Sequence, residues 1–366
     1  MKIGINSRIY QNKNSGVPYY VYLLFSKILE LDKRNDYLFF QTQLNKTIGK
    51  TEQFKLPDTL WGAVLFDTFL IRSLIRRNKV DVVHGASVLL PVGKKRGVKY
   101  TMTVYDLAFL HFPKLYSALY KVYHTYSIGR SLKKADHIVC ISESTKRDVV
   151  HFFGTSEKKI SVIYPGINDI FWTEPENEQP IVEEPYFFSV TTHPSRKNIF
   201  SVLRAMAGSD QLGNYTYVIA GLMSEGHQKE LRSLAEALHI SERVKLLGFV
   251  SEEQLKNLYR HAAFFIYPSF YEGFGLPVIE SMAQHCPVLS ADNSSLPEVN
   301  PHREWMFDAK SVQEMTQVME RLVALSSEKR QQLIETNLEF ASRFTWESSA
   351  QKMVEVFESL KDEHYV

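Results

Sequence analysis

Cysteine is nearly absent from this chain: Cys140 and Cys286 are its only two thiols in 366 residues. They are too few and too far apart for a disulfide framework or a Cys-rich metal site, which fits a reducing compartment. Long apolar runs are missing as well. No stretch approaches the roughly 18 consecutive apolar residues of a membrane-spanning helix. The opening Met1-Lys-Ile-Gly-Ile-Asn6 reads as a buried first strand rather than a secretory signal. Low-complexity tracts and fixed-period repeats are absent, and a content of 44% hydrophobic and 13% aromatic residues excludes a disordered chain.

Charge of one sign is lacking only in the sum. The net value is +2, yet residues 1–165 hold 26 Lys and Arg against 12 Asp and Glu, and residues 166–366 hold 17 against 29. A basic half of this kind attracts nucleic acid, an anionic bilayer or acidic substrates. No nucleic-acid-binding module is recognisable. An anionic membrane surface is therefore the favoured partner of the clusters Arg72, Arg76, Arg77, Lys79 and Lys94, Lys95, Arg96, Lys99, with a purely solvating role as the alternative.

What is present is alternation of strands and helices, the mark of doubly wound α/β sheets. Strands are predicted at 2–6, 37–41, 80–84, 100–104, 137–141 and 159–163, with helices over 18–31, 65–77 and 142–153 and Ser142 as an N-cap. The acidic, proline-rich 174–185 reads as a linker. A second series of strands follows at 186–190, 215–220, 243–247, 263–267 and 287–290. A last helix begins at Trp346, with Met353, Phe357 and Leu360 at helical spacing. The expected organisation is a first Rossmann-like domain over 1–168, a linker over 169–185 and a second Rossmann-like domain over 186–345.

The densest chemistry lies in Ser269-Phe-Tyr-Glu-Gly-Phe-Gly-Leu-Pro-Val-Ile-Glu280. A strand feeds a Gly-rich turn, and Pro277 then opens a helix. Free amides around Gly273, Phe274 and Gly275 at a helix amino end form a phosphate site. Glu272 and Glu280 could hold a nucleotide diphosphate between two carboxylates; the plain alternative is a strand–turn–helix with surface glutamates. Arg196 and Lys197 offer a fork and a point charge for a phosphate.

This stretch, with Pro287-Val288 and Ser294-Ser-Leu-Pro-Glu-Val299, resembles the donor-site signature of the retaining glycosyltransferases of family 4. Asp81-Val-Val-His84, Thr101–Leu107, Ala135–Ser142, Tyr164-Pro-Gly-Ile167, Arg196-Lys-Asn198 and Leu247-Gly-Phe-Val250 look like further landmarks in the family's order, so the resemblance covers nearly the whole chain. It implies the GT-B architecture, two facing Rossmann-like domains with a cleft between them, the first binding acceptor and the second donor. It also implies that the final stretch, 346–366, crosses back onto the first domain.

The resemblance further implies that Glu280 holds the nucleotide ribose and Glu272 the transferred sugar. Gly273, Phe274, Gly275 and Leu276 would supply the turn on the phosphates, Arg196 and Lys197 the neutralising charge, and Gly16 the loop nearest the donor. Front-face attack, with the leaving phosphate accepting the proton, needs no protein nucleophile. Tyr105 and Asp106 stand where the family has His-Asp; His84 and His111 are candidate substitutes for that histidine. Asp106 either positions the acceptor or caps the following turn. His285 occupies a position where the family expects glycine, which implies a strained backbone, and Asn300-Pro-His-Arg303 is a further departure. The implied activity is transfer of a hexose, first of all mannose from GDP-mannose, to a lipid-linked or saccharide acceptor in cell-surface polysaccharide synthesis. A UDP-hexose and dTDP-rhamnose are the other donors. No cofactor and no metal are expected, and the place of work is the cytoplasm, peripheral to the inner face of the membrane. The alternative is a non-catalytic sugar-nucleotide-binding scaffold.

Overall fold

Parallel strands buried on both faces carry continuous apolar runs rather than alternation, and such runs build both halves of this chain. The computed structural model describes residues 1–7, 16–41, 49–53, 62, 65–86, 88–191 and 195–362. Asn14 and Ser15 of the loop before Gly16, and residues 363–366 of the final stretch, lie outside the described residues. Two compact units result: residues 1–166 with 345–366, and residues 167–344.

The first unit holds seven strands: β1 (Lys2–Asn6), β2 (Asp36–Gln41), β3 (Lys50–Gln53), β4 (Val82–Gly85), β5 (Lys99–Val104), β6 (His137–Cys140) and β7 (Ile160–Val162). They lie parallel in the order β3-β2-β1-β4-β5-β6-β7. One face is covered by Ile71–Arg77, Ala118–Lys134 and Glu143–Phe153, whose Leu74, Ile128, Leu132 and Val149 join the strand residues Val83, Met102 and Ile138 in one core. Ser142 does cap its helix, its Oγ accepting from Thr145 N at 3.0 Å. The helix Gly16–Leu31 packs with the returning helix Trp346–Asp362, which buries Ala350, Met353, Phe357 and Leu360. Tyr20 meets Trp346 edge-on at 5.3 Å, and Lys27 pairs with Glu347 at 2.7 Å. At Gly166 a Cβ would stand 2.2 Å from Trp346 N, so no side chain fits where this unit closes on its last helix.

Two elements differ from the sequence reading. The helix predicted over 65–77 begins as a π-helical stretch, Phe66–Leu70, before Ile71–Arg77. The helix Ala118–Lys134 was not expected. Its buried residues are Ser127, Ile128, Ser131 and Leu132, so half of its inner stripe is polar and no one-sided periodicity shows.

The second unit holds β8 (Tyr186–Val190), β9 (Thr216–Ala220), β10 (Val244–Gly248), β11 (Phe264–Tyr267), β12 (Val288–Ala291) and β13 (Met306–Phe307), in the order β10-β9-β8-β11-β12-β13. This is the Rossmann order, and it reverses direction between β8 and β11. Phe187 stacks on Tyr217 and Phe264 at 4.9 and 4.8 Å, locking three neighbouring strands through one aromatic layer. At the carboxyl edge Gly221, at φ +123°, lies so close to β8 that a Cβ would be 1.9 Å from Thr191 O.

The acidic, proline-rich stretch is fastened to this unit. Asn257 Nδ2 donates to Asn177 O and Gln179 O at 2.8 Å each, and its Oδ1 accepts from Ile181 N at 3.0 Å. Gln284 Nε2 donates to Phe171 O and Thr173 O at 2.6 and 3.0 Å. Composition describes a segment's own preferences, and two distant side-chain amides decide what it rests on.

Candidate functional site

The site of the second unit is built where its strand order reverses, at the carboxyl ends of β8 and β11, the place where open α/β sheets leave a crevice. On the β8 side, Asn198 takes a left-handed conformation at φ +58° and anchors its amide on Ala309 O at 2.7 Å before the helix Ile199–Ala207 begins. Arg196 and Lys197 immediately precede it. Arg196 Nη1 donates to Tyr271 O at 3.0 Å, and Arg196 O accepts from Phe270 N at 3.1 Å. The two strand exits are thereby tied.

On the β11 side the chain passes Tyr267 and runs to Gly275, which sits at φ +118° and precedes the helix Leu276–Ala283. A Cβ at Gly275 would meet Leu296 and Val299 at 3.0 Å, so both conformation and space call for glycine. Pro277 is the second residue of this helix, behind Leu276. The turn is pinned from outside. Glu272 N donates to Ser294 Oγ at 3.0 Å, while Ser295 Oγ donates to Glu272 O at 3.0 Å and Phe274 O at 2.6 Å. Phe274 is 4% exposed and packs edge-on against Phe344 at 5.7 Å, so its ring is an anchor and its backbone faces the turn.

Lys197 Nζ donates to Glu272 Oε1 and to the Tyr267 hydroxyl, both at 2.5 Å. Arg196 Nη1 stands 3.9 Å from Glu272 Oε2. Burial by itself would raise the Glu272 pKa, but Lys197 and Arg196 outweigh it and hold the carboxyl below the ordinary value of 4.5. Glu280, one turn into the helix and half-buried, is the opposite case. Burial first, and the negative Glu252 second, push its pKa up to about 8. No side chain among the described residues donates to it. One carboxyl is thus held ionised beside two cations, and the other has no side-chain donor among the described residues.

The remaining candidates, His285 excepted, lie in the first unit. Gly16, at φ +45°, opens its helix, and a Cβ there would touch nothing within 4 Å, so conformation alone favours glycine. Tyr105 is 5% exposed, meets Tyr20 edge-on at 5.2 Å and donates its hydroxyl proton to Ala86 O at 2.9 Å. Asp106 is exposed, and its Oδ1 accepts from Ala108 N at 3.0 Å, capping the turn into Ala108–His111. His84 is fully buried between Phe25 and Phe357, 3.2 Å from Thr103 Oγ1, and burial holds its pKa down to about 3, which keeps it neutral. His111 pairs with Asp148 at 3.0 Å. His285 adopts φ +60°, the left-handed backbone implied by its place in a glycine position.

Tyr267 escaped the sequence reading as part of the site, while Asn198 and Ser294–Ser295 were read there as motif residues without a structural role. The signal for Tyr267 was its place at the carboxyl end of a strand leading into the Glu272 turn. A surface depression of about 420 Å³ lined by Arg232, Glu236, Val244 and Leu246 lies at the β10 edge, away from these groups.

Residues 39–170 match the family of glycosyltransferase family 4 domains, and residues 170–340 match the glycosyl transferases group 1 family. The O-antigen chain mannosyltransferase RfbU of Salmonella typhimurium is 29% identical over 60% of this chain and 63% of its own length, so the chain spans under two thirds of that relative. The O-antigen chain mannosyltransferase B of Escherichia coli is 25% identical over 78% of this chain and 76% of its own. A glycosyltransferase structure from Rickettsia africae superposes with a TM-score of 0.75 at 18% identity, covering 98% of both chains, which speaks for the fold. With two Rossmann-like units of the GT-B kind and both domain families in succession, the chain belongs to the family 4, group 1 glycosyltransferases.

Proposed function

We propose that the chain is a retaining hexosyltransferase moving mannose from GDP-mannose to a lipid-linked or saccharide acceptor in cell-surface polysaccharide synthesis, at the cytoplasmic face of the membrane. The observation that carries this reading is the Lys197–Glu272–Tyr267 cluster beside Arg196 at the amino end of Leu276–Ala283. Two cations and the glycine-rich turn at a helix amino end converge where a diphosphate would lie. The names of the two mannosyltransferase relatives support the choice of sugar.

In this reading the diphosphate rests on the amides of Gly273–Gly275 and draws Arg196 and Lys197, whose charge stabilises it as the leaving group without a metal. Glu280 accepts hydrogen bonds from the ribose. Glu272 accepts from a hydroxyl of the transferred sugar. The acceptor oxygen bonds to the anomeric carbon as the carbon–phosphate oxygen bond breaks, on the same face, and the acceptor proton passes to the leaving phosphate. Asp106 positions the acceptor. Tyr105 holds the β4 and β5 exits together through Ala86, since its one proton is already spent there.

The test is a thermal-shift comparison of GDP-, UDP- and dTDP-sugars in a chelator, followed by transfer to a saccharide acceptor and assignment of the product anomer. GDP-mannose at a hundredfold excess over its dissociation constant should add about 2.7 kcal/mol of stability. An inverted product, or stabilisation by no nucleotide sugar, overturns the proposal. Binding without transfer to any acceptor assigns the chain to a scaffold role.

A further inference from the structure

Four cations gather where β5 and β6 begin, on the loop that joins β4 to β5. Arg130 and Lys134 come from the end of the helix Ala118–Lys134, Arg72 from Ile71–Arg77 and Lys94 from the loop itself. Arg130 Nη2 and Nη1 donate to Leu90 O and Pro91 O at 2.7 and 3.2 Å. Lys134 Nζ donates to Pro91 O at 2.5 Å and also to Gly93 O, and it lies 4.0 Å from the ring centre of Tyr100. The same ring faces Lys94 at 5.8 Å. Asp136 sits among them with both oxygens engaged, one by Lys94 at 2.6 Å and the other by Tyr100 N at 2.8 Å.

Fastening the loop accounts for Arg130 and Lys134, and the ion pair accounts for Lys94. Arg72 is left over. Its guanidinium packs over Gly93, where a Cβ would stand 3.4 Å from both Cζ and Nη2. It is half-buried and makes no hydrogen bond or ion pair among the described residues. A guanidinium carries five donors and does not give up its charge. The surplus shows on its neighbour. Burial first, then Arg130, Arg72 and Lys94, hold the Lys134 pKa down to about 7, with Asp136 opposing. An oxyanion relieves both defects. The fork of Arg72 takes two oxygens of a phosphate, and the lysine ammonium groups supply point charges beside it.

We propose that Arg72, Lys94 and Lys134, over the Gly93 turn, form an oxyanion site for the phosphate or diphosphate group of a soluble effector. Open α/β sheets take their substrates at the carboxyl ends of the strands. This cluster lies instead by the amino ends of β5 and β6, beside Tyr100 and Asp136, so its ligand is not the occupant of the crevice. The site is independent of the glycosyltransfer reading.

The experiment is calorimetric titration of the whole chain with inorganic pyrophosphate, against sodium chloride at matched ionic strength. Arg72→Gln should remove one equivalent from the titration, weakening it about tenfold or more, the worth of a charge-assisted hydrogen bond. Lys94→Gln, at an exposed position, should weaken the same equivalent and carries the test if the Arg72 variant does not fold. Arg76→Gln, an exposed cation of the same helix, should leave that equivalent intact. Any binding of pyrophosphate at the donor turn is common to all four proteins, and the thermal shift with nucleotide sugars should be the same in each. Vesicles of phosphatidylcholine with phosphatidylglycerol separate a lipid phosphate from a soluble one. Binding to those vesicles with none to pyrophosphate overturns the proposal. So does an equal loss in the Arg76 variant, which would mean a diffuse positive field, or a response that sodium chloride reproduces. A failed glycosyltransfer reading shows separately, as no shift with any nucleotide sugar in the unaltered protein.

Discussion

Lys197 Nζ and Glu272 Oε1 stand 2.5 Å apart, with the two side chains only 12% and 10% exposed. The cation that the proposed function assigns to a diphosphate is thus already neutralised, and the Tyr267 hydroxyl shares it. Neither charge is left unpaired when the site is empty, which is the condition under which buried ions are tolerated. Donor entry would exchange one partner of Lys197 for another rather than desolvate a free ammonium.

Glu272→Gln removes the anion and leaves Lys197 enclosed. Stability should fall by about 3 kcal/mol in denaturant titrations at neutral pH. Because the folded carboxyl titrates below its ordinary 4.5, its contribution is complete above that value and lost as pH falls through the folded value. The variant should lack that part of the acid limb. An unchanged acid limb would remove the pair from the list of stabilising contacts.

Glu280 behaves in the opposite sense. With its pKa raised to about 8, its contribution is complete below the ordinary 4.5 and is lost as pH rises through about 8, where the enclosed charge forms. Glu280→Gln should therefore flatten the decline in melting temperature between about pH 4.5 and 8. A nucleotide sugar that donates hydrogen bonds to this carboxyl should bind with proton release near neutrality, read by calorimetry in buffers of different ionisation enthalpy. The glutamine variant should show no such release.

Tyr105→Phe leaves the Ala86 carbonyl without its donor. The expected loss is about 1 kcal/mol of stability, with donor-induced thermal shift unchanged. A large fall in turnover at unchanged stability would instead place the hydroxyl in the chemistry.

His285 holds a left-handed backbone at φ +60° on an exposed turn. His285→Gly relieves that conformation and should raise stability by about 1 kcal/mol, less the extra freedom that glycine gives the unfolded chain. A lower melting temperature would show that the imidazole makes a compensating contact.

Gly221→Ala should be severe. The added methyl would lie 1.9 Å from Thr191 O at a φ of +123°, and neither strand exit can yield without breaking β8–β9 pairing. A loss of about 3 kcal/mol or more is expected, measured by denaturant unfolding. A well-tolerated alanine would mean that the two strand ends can separate.

Much of this was legible beforehand where the signal is local. The apolar runs Phe187-Phe188 and Phe264-Phe-Ile-Tyr267 announced buried parallel strands, and Ser142 announced its helix. The Glu-Gly-Phe-Gly turn was equally readable, because it depends on backbone preferences of a few adjacent residues, while the glycine-like position of His285 was implied by the family resemblance. The helix Ala118–Lys134 escaped because its buried stripe includes Ser127 and Ser131, and Ser131 Oγ is satisfied inside the protein, donating to Ser127 O and accepting from Leu90 N. The Pro-rich stretch 174–185 read as a free linker because Asn257 and Gln284, which hold it or the residues just before it, lie some 80 to 110 positions away.

The sequence by itself determined two α/β units, their strand positions and the turn that carries Glu272 and Glu280, all consequences of periodicity and local backbone preference. Only the tertiary structure decided the state of those carboxyls. Glu272 is ionised because Lys197, 75 residues away, is folded against it, and Glu280 is held toward its neutral form by burial and by the negative Glu252. The same holds for Tyr105, whose proton went to Ala86 across two strands. Protonation and hydrogen-bond partners follow desolvation and long-range packing, and neither is set by neighbours in the chain.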